Sequence, residues 1–162
     1  MAARAYLLFE LAGLACALAC EHVREILPLP ALGQPPARPP VIEGVIALGG
    51  QAIPLLRLDR LLGLPQSAFS AYQHVLLMRG REPPFALLVD RVTEIARIAE
   101  TRVLRLDEED SYNGCVTAEI RIDGQPIHGL CLERLLTAEE RNRLAAFQAQ
   151  EEERLREFAS PA

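Results

Sequence analysis

Residues 41–64 read VIEGVIALGGQAIPLLRLDRLLGL and restrict the fold of this chain more than any other stretch. Two apolar runs of strand length meet at Gly49-Gly50. Glycine enters the positive-φ regions of a tight turn without strain, so the pattern predicts a β-hairpin. Pro54 has no N–H to donate, which puts its strand at a sheet edge or beside a bulge. Further on, Leu58, Leu61, Leu62 and Leu64 fall on one helical face with Asp59 and Arg60 outside it, and Gly63-Leu64-Pro65 ends the helix within two turns. The predicted unit is strand, turn, strand and half-helix.

The rest of the chain has to pack around that unit. Its 162 residues, half of them apolar, suffice for one ordinary domain or for two small barrels that share a core. The net charge is −5 and all 17 basic residues are arginines interspersed with acids, which disfavours nucleic-acid binding. Cys16, Cys20, Cys115 and Cys131 form no CxxC pair and sit in apolar runs, as small buried hydrophobes of a reducing cytosol do. Residues 6–11 and 14–20 read as a hairpin across Ala12-Gly13. The competing reading, a signal sequence with a lipobox-like cysteine, is disfavoured by Glu10 within the apolar run and Gly13 midway. No other segment is apolar for long enough to span a membrane.

Residues 21–26 suit one short helical turn, because Val23 and Ile26 are three apart, and the proline-rich connector 28–40 should cross a surface in extended form. Residues 75–78 are an apolar run of the fully buried strand type, and the turn RGREPP returns the chain through 85–90, a hairpin pair that would form a barrel wall. Ile95, Ile98, Val103, Leu104 and Leu106 supply one or two further short strands before an acidic loop at 107–110. Residues 115–122 and 126–132 flank Asp123-Gly124, a strong type I′ turn signal. Thr137 and Glu140 form a capping box that opens a C-terminal helix. Leu144 and Phe147 give its first half an apolar face, and Glu151, Glu152 and Glu153 interrupt that stripe, so the first half should dock and the second project or fray.

The run Gly44-Val45-Ile46-Ala47-Leu48-Gly49-Gly50, with Ile53-Pro54-Leu55-Leu56 and Leu61-Leu62-Gly63-Leu64, resembles the GVINLRG…PVIDLR..LGL signature of CheW-like domains, the coupling proteins of bacterial chemosensory arrays. Val23 to Ile26, Phe85 to Val92 and Leu132 to Leu136 resemble further family segments. The resemblance implies an all-β fold of two five-stranded SH3-like barrels side by side over 1–136, divided near 70–90, with residues 137–162 as the added helix. It implies a nonenzymatic, cytoplasmic adaptor that needs no cofactor and neither binds nucleic acid nor inserts into a membrane. Its implied partners are the regulatory domain of a CheA-type histidine kinase and the cytoplasmic tip of a chemoreceptor. The candidate partner-binding residues are Glu25, Gly44, Gly49, Gly50, Arg57, Asp59 and Arg60. There is one departure from the signature. Ala47 and Gly49 stand where it has asparagine and arginine, and Arg57 and Asp59 stand where it has aspartate and arginine. The exchanged pair either keeps a local ion pair in reversed order or stands as separate surface charges.

Other chemistries find little support in the residues. His22, His74 and His128 lie in three different predicted elements, none at ligand spacing from another. Gly49-Gly50 is followed by neither lysine nor helix, so it is no phosphate loop, and Glu108-Glu109-Asp110 lacks the alternating ligands and glycine of a calcium loop. The alternatives are a small cysteine-dependent enzyme on a β-barrel, with Cys115 beside His128 or His74, and a CheW-like adaptor diverged to a partner other than a chemoreceptor.

Overall fold

Nearly every apolar run in the chain becomes a strand. The computed structural model describes residues 2–34, 39–65, 73–81, 84–106, 115–136 and 138–159. In chain order the strands are β1 (Ala3–Leu11), β2 (Leu14–Ala19), β3 (Val23–Pro28), β4 (Ile42–Leu48), β5 (Gln51–Arg57), β6 (His74–Met78), β7 (Ala86–Val89), β8 (Arg91–Ala99), β9 (Val103–Arg105), β10 (Val116–Ile122) and β11 (Gln125–Leu130). A single helical turn, α1 (Leu58–Leu61), follows β5, and a 22-residue helix, α2 (Ala138–Ala159), ends the described chain.

The strands form two sheets, one of six in the order β8-β1-β2-β11-β10-β9 and one of five in the order β3-β6-β7-β5-β4. The all-β expectation holds, with one barrel wall of six strands in place of five. In the six-stranded sheet the opposite margins β8 and β9 are joined by only the three-residue turn Glu100–Arg102, so the sheet has to curl until its margins approach. Each sheet contains one short parallel ladder, β2 with β11 and β5 with β7, among antiparallel ones.

The chain crosses between the sheets twice, at the turn Cys20–His22 and at Asp90. A single division near 70–90 captures only the second crossing, since the N-terminal hairpin joins the strands that follow Asp90. Sequence patterning could not show this, because the partner of β2 lies more than a hundred residues away.

Side-chain alternation explains why so many strands are apolar on both faces. Leu7, Phe9 and Leu11 of β1, Leu76 and Met78 of β6, and Leu87 and Val89 of β7 point into one core shared by the two sheets. Their alternates Tyr6 and Leu8 fill the first barrel, and Val75, Leu77, Ala86 and Leu88 fill the second. A strand between two cores has no solvent face, so it reads as an unbroken apolar run.

Among the described residues, three tight turns have positive φ at both central residues, as type I′ turns require: Ala12-Gly13, Gly49-Gly50 and Asp123-Gly124. Residues 21–26 depart from the expected helical turn. A 3₁₀ turn ends at His22 and β3 then begins, because pairing of Val23 to Pro28 with β6 overrides a weak local spacing. Pro54 lies on a strand flanked by β4 and β7, yet the ladder to β7 begins only at Leu55, and the bulge between Ile42 and Gly44 is one step away. Val45 exchanges both its backbone hydrogen bonds with Gly33, at 3.0 and 2.8 Å, so opposite it Pro54 needs no donor toward β4.

In α2, Leu144 and Phe147 enter the shared core as expected. Leu155, beyond the three glutamates, also packs against that core. Thr137, and with it the capping box, lies outside the described residues, as do the acidic loop 107–110 and residues 66–72.

Candidate partner-binding surface

The β4–β5–α1 unit places most of the candidate residues, and it sorts them into two groups. Gly49 and Gly50 form the exposed tip of the hairpin, with φ of +58° and +80° and open space where a Cβ would stand. Arg60 on α1 and Glu25 on β3 are also exposed. Gly44, Arg57 and Asp59 are buried.

Each buried residue has an internal task. A Cβ on Gly44 would stand 2.8 Å from the carbonyl oxygen of Gly33 and 2.9 Å from Leu32 Cβ, so only glycine lets the connector close over β4. Arg57 and Asp59 form an ion pair in reversed order, with Nε donating to Oδ1 at 3.2 Å and a terminal nitrogen to Oδ2 at 2.8 Å. Arg57 also donates to Glu43 at 3.3 Å, and Asp59 Oδ1 accepts the N–H of Arg60 at 2.8 Å. The hydrogen bond that Arg57 donates to Asp59, opposed by burial and helped by both carboxylates, raises the Arg57 pKa further. The two residues are only 8% and 3% exposed, which rules out separate surface charges and corrects the expectation that Asp59 faces outward from α1.

Asp59 turns inward because the first turn of α1 directly follows the buried end of β5, where the Arg57 guanidinium offers it two hydrogen bonds. Glu43 was missed in the sequence. It reaches Arg57 from the neighbouring strand, at the bulge in β4, and no local spacing announces that contact.

Asp90 holds the second crossing between the sheets. Its Oδ2 accepts the N–H of Ala12 at 2.8 Å and its own N–H donates to the carbonyl of Glu10 at 3.1 Å, tying the β1–β2 turn to the start of β8.

Cys16, Cys20 and Cys115 are poor nucleophiles. Burial, with a smaller contribution from Asp90, pushes Cys16 up to about 12, and burial also raises Cys20 and Cys115. The Cys115 thiol donates to the Arg134 carbonyl at 3.1 Å. His74 accepts the N–H of Val92 on Nδ1 at 3.1 Å, and the His22 pKa is lowered first by burial and then by Arg81 and Arg4. Among the described residues no three His, Cys, Asp or Glu side chains are grouped to hold a metal ion, and no helix is long and apolar enough to cross a membrane.

The second half of α2 flanks the β4–β5 hairpin. Leu155, Arg154 and Glu151 share a cleft of about 380 Å³ with Val45, Ala47 and Ala52 of the hairpin and with the connector at Ala31, Gly33 and Gln34.

A family model for the CheW-like domain matches residues 5–140. The chain belongs to the CheW-like domain family. It is 24% identical over 128 residues, 79% of this chain and 84% of the relative, to the chemotaxis protein CheW of Thermotoga maritima. The crystal structure of the scaffolding protein TtCheW from Thermoanaerobacter tengcongensis superposes with a TM-score of 0.76 at 22% identity, covering 86% of this chain and 92% of that one. The CheW family is one of nonenzymatic scaffolds, and the cysteine-dependent enzyme falls away with that assignment. In this CheW-like chain the family glycine at 44 serves packing. The candidate surface that faces solvent consists of Gly49, Gly50, Arg60 and Glu25.

Proposed function

We propose that this protein is a cytoplasmic coupling protein of a chemosensory array, joining the regulatory domain of a CheA-type histidine kinase to the cytoplasmic tip of a chemoreceptor. The observation that carries the reading is the family match across 5–140, which spans the two-sheet frame and its shared core. A scaffold of this kind acts through barrel ends and edges with no chemistry of its own. The exposed hairpin turns at Gly49-Gly50 and Asp123-Gly124 are the ends proposed to meet the kinase domain. The test is a calorimetric titration against the regulatory domain of the chemosensory kinase encoded nearest the gene. A standard interface of about 800 Å² per partner is expected. Absence of binding to every such domain in the source organism overturns the kinase half of the proposal.

The receptor half is weaker in this chain than in a relative that carries the full signature. An arginine at position 49 would make charge-assisted hydrogen bonds worth about 1.5–3 kcal/mol each, and Gly49 makes none. Affinity for a typical receptor tip is therefore expected to be at least about tenfold lower. Gly49→Arg should recover part of it, less about 1–2 kcal/mol for holding a side chain at φ +58°. Ala47 and Gly49 together favour a second reading, an adaptor whose receptor-side partner has changed. Wild-type affinity equal to that of signature-bearing relatives eliminates this second reading.

A further inference from the structure

The CheW-like match ends at Glu140, whereas α2 runs from Ala138 to Ala159, so almost the whole helix is an addition to the family domain. Its two halves are held differently. Leu144 and Phe147 are 4% and 8% exposed inside the shared core. After Glu151, Glu152 and Glu153, the apolar hold that continues is Leu155, half-buried beside a 380 Å³ cleft over Val45, Ala47 and Ala52. Ala47 and Ala52 are small enough to admit a helix against the hairpin, and Gly33 lines the same cleft from the connector.

We infer that this face of the β4–β5 hairpin is a helix-binding surface, occupied here by the distal half of the chain's own α2, and that a partner's amphipathic helix binds by displacing it. The occupant shows what the surface accepts. Glu151 and Leu155 lie four apart on one helical face, Glu151 pairs with Arg154 at 3.3 Å on the same helix, and Leu155 packs against the core cluster that includes Val45 and Ala52. A competing helix therefore carries a leucine-sized side chain at the place of Leu155, while the charge of Glu151 is met within its own helix. The proximal half stays seated through Leu144 and Phe147, so displacement is a local opening at the middle of α2 and needs no unfolding of either barrel.

The experiment uses the full chain with Leu155→Glu, which opposes the seat without touching Leu144 or Phe147, and Leu155→Ala as the milder companion. The probe is a fluorescent peptide with the sequence of residues 145–162. Amide exchange across 45–52 is expected to quicken in Leu155→Glu with an unchanged cooperative melt, and the peptide is expected to bind that variant at least tenfold more tightly than wild type. A Leu155→Ala peptide should lose most of this binding. Unchanged exchange in both variants shows that Leu155 does not hold the helix down and overturns the proposal. Faster exchange with no peptide binding overturns it as well, since the bared face then accepts no helix. The partner arm rests on the coupling reading above: a chemoreceptor-tip fragment should also gain at least tenfold on Leu155→Glu. Peptide binding without that gain leaves the helix-binding surface standing and removes the chemoreceptor as its partner.

Discussion

β7 and β8 are separated by Asp90 alone, yet they are opposites. All four residues of β7 (Ala86–Val89) are buried, whereas one of the nine residues of β8, Ile98, is buried and Ile95 is 62% exposed. β7 lies between β6 and β5, with the shared core on one face and its own barrel interior on the other; β8 is the outer margin of the six-stranded sheet. The difference teaches that hydrophobicity in this fold follows position between two cores more closely than membership of a strand. A run such as Ala86-Leu87-Leu88-Val89 specifies the interior wall, and the margins are free to carry recognition.

The same distinction separates ion pairs, and there the largest effect is expected. Arg57 pairs with Asp59 and Glu43 among side chains that are mostly buried, while Arg91 and Glu10, 3.5 Å apart, are more than half exposed. Arg57→Leu leaves two carboxylates without their cation, and breaking a buried pair from one side costs about 3–5 kcal/mol. Arg91→Leu should cost less than about 1 kcal/mol. Urea unfolding of the two variants measures both. Equal losses would mean that Glu43 and Asp59 find water or another partner when Arg57 is gone.

The apolar version of the comparison is expected to come next. Leu87→Ala opens a cavity in the shared core and should cost about 2–5 kcal/mol, while Ile95→Ala on β8 should stay within about 0.5 kcal/mol. A substantial loss at Ile95 would show that β8 is covered in solution, by a second copy or by closure of the barrel margin. Denaturant melts at two protein concentrations tell these two apart.

Legibility in the sequence followed the same line. The doubly buried runs, the Gly49-Gly50 and Asp123-Gly124 turns and the helix stop at Gly63 could all be read, because each is a local signal with a steric or packing cause. β3 could not, since its residues are mostly exposed and only pairing with β6 makes it a strand. The parallel ladders and the double crossing are contacts between distant segments and leave no periodicity. Among candidate residues, the exposure of Gly49 and Gly50 followed from the hairpin. The burial of Asp59 did not, since one helical turn allows a polar residue at its start to face either way and only the cation of Arg57 settles which.

A pH experiment sharpens the view of the shared core at moderate magnitude. Cys16 is raised from its ordinary 9.0 to about 12 in the folded chain. Above pH 9 the unfolded chain loses this proton while the folded chain keeps it, so folding stability falls as pH rises from about 9 to about 12. Below pH 9 both states hold the proton and there is no effect. At pH 10 the loss from this group is about 1.4 kcal/mol. Cys16→Ala should flatten the alkaline limb of the stability profile by that amount relative to its own value at pH 8. An unchanged alkaline limb would place the titration elsewhere.

The smallest expected effect compares two hairpin turns of the six-stranded sheet. Asp123-Gly124 and Ala12-Gly13 have nearly the same backbone, with φ of 51° and 78° in one and 49° and 81° in the other. Aspartate tolerates the left-handed region through local hydrogen bonding of its short polar side chain, whereas alanine brings a Cβ into contact with the following carbonyl and nothing to offset it. The Ala12 turn is held instead from outside, by Asp90 Oδ2 accepting its N–H at 2.8 Å. Ala12→Asn keeps that N–H and relieves part of the strain, and should stabilise the chain by up to about 1 kcal/mol. Asp123→Ala should destabilise it by a similar amount. Paired thermal melts decide the matter. If Ala12→Asn is neutral while Asp123→Ala is costly, the bond from Asp90 already offsets the strain at Ala12, and then Asp90→Ala in the Ala12→Asn background should cost less than in the wild-type chain.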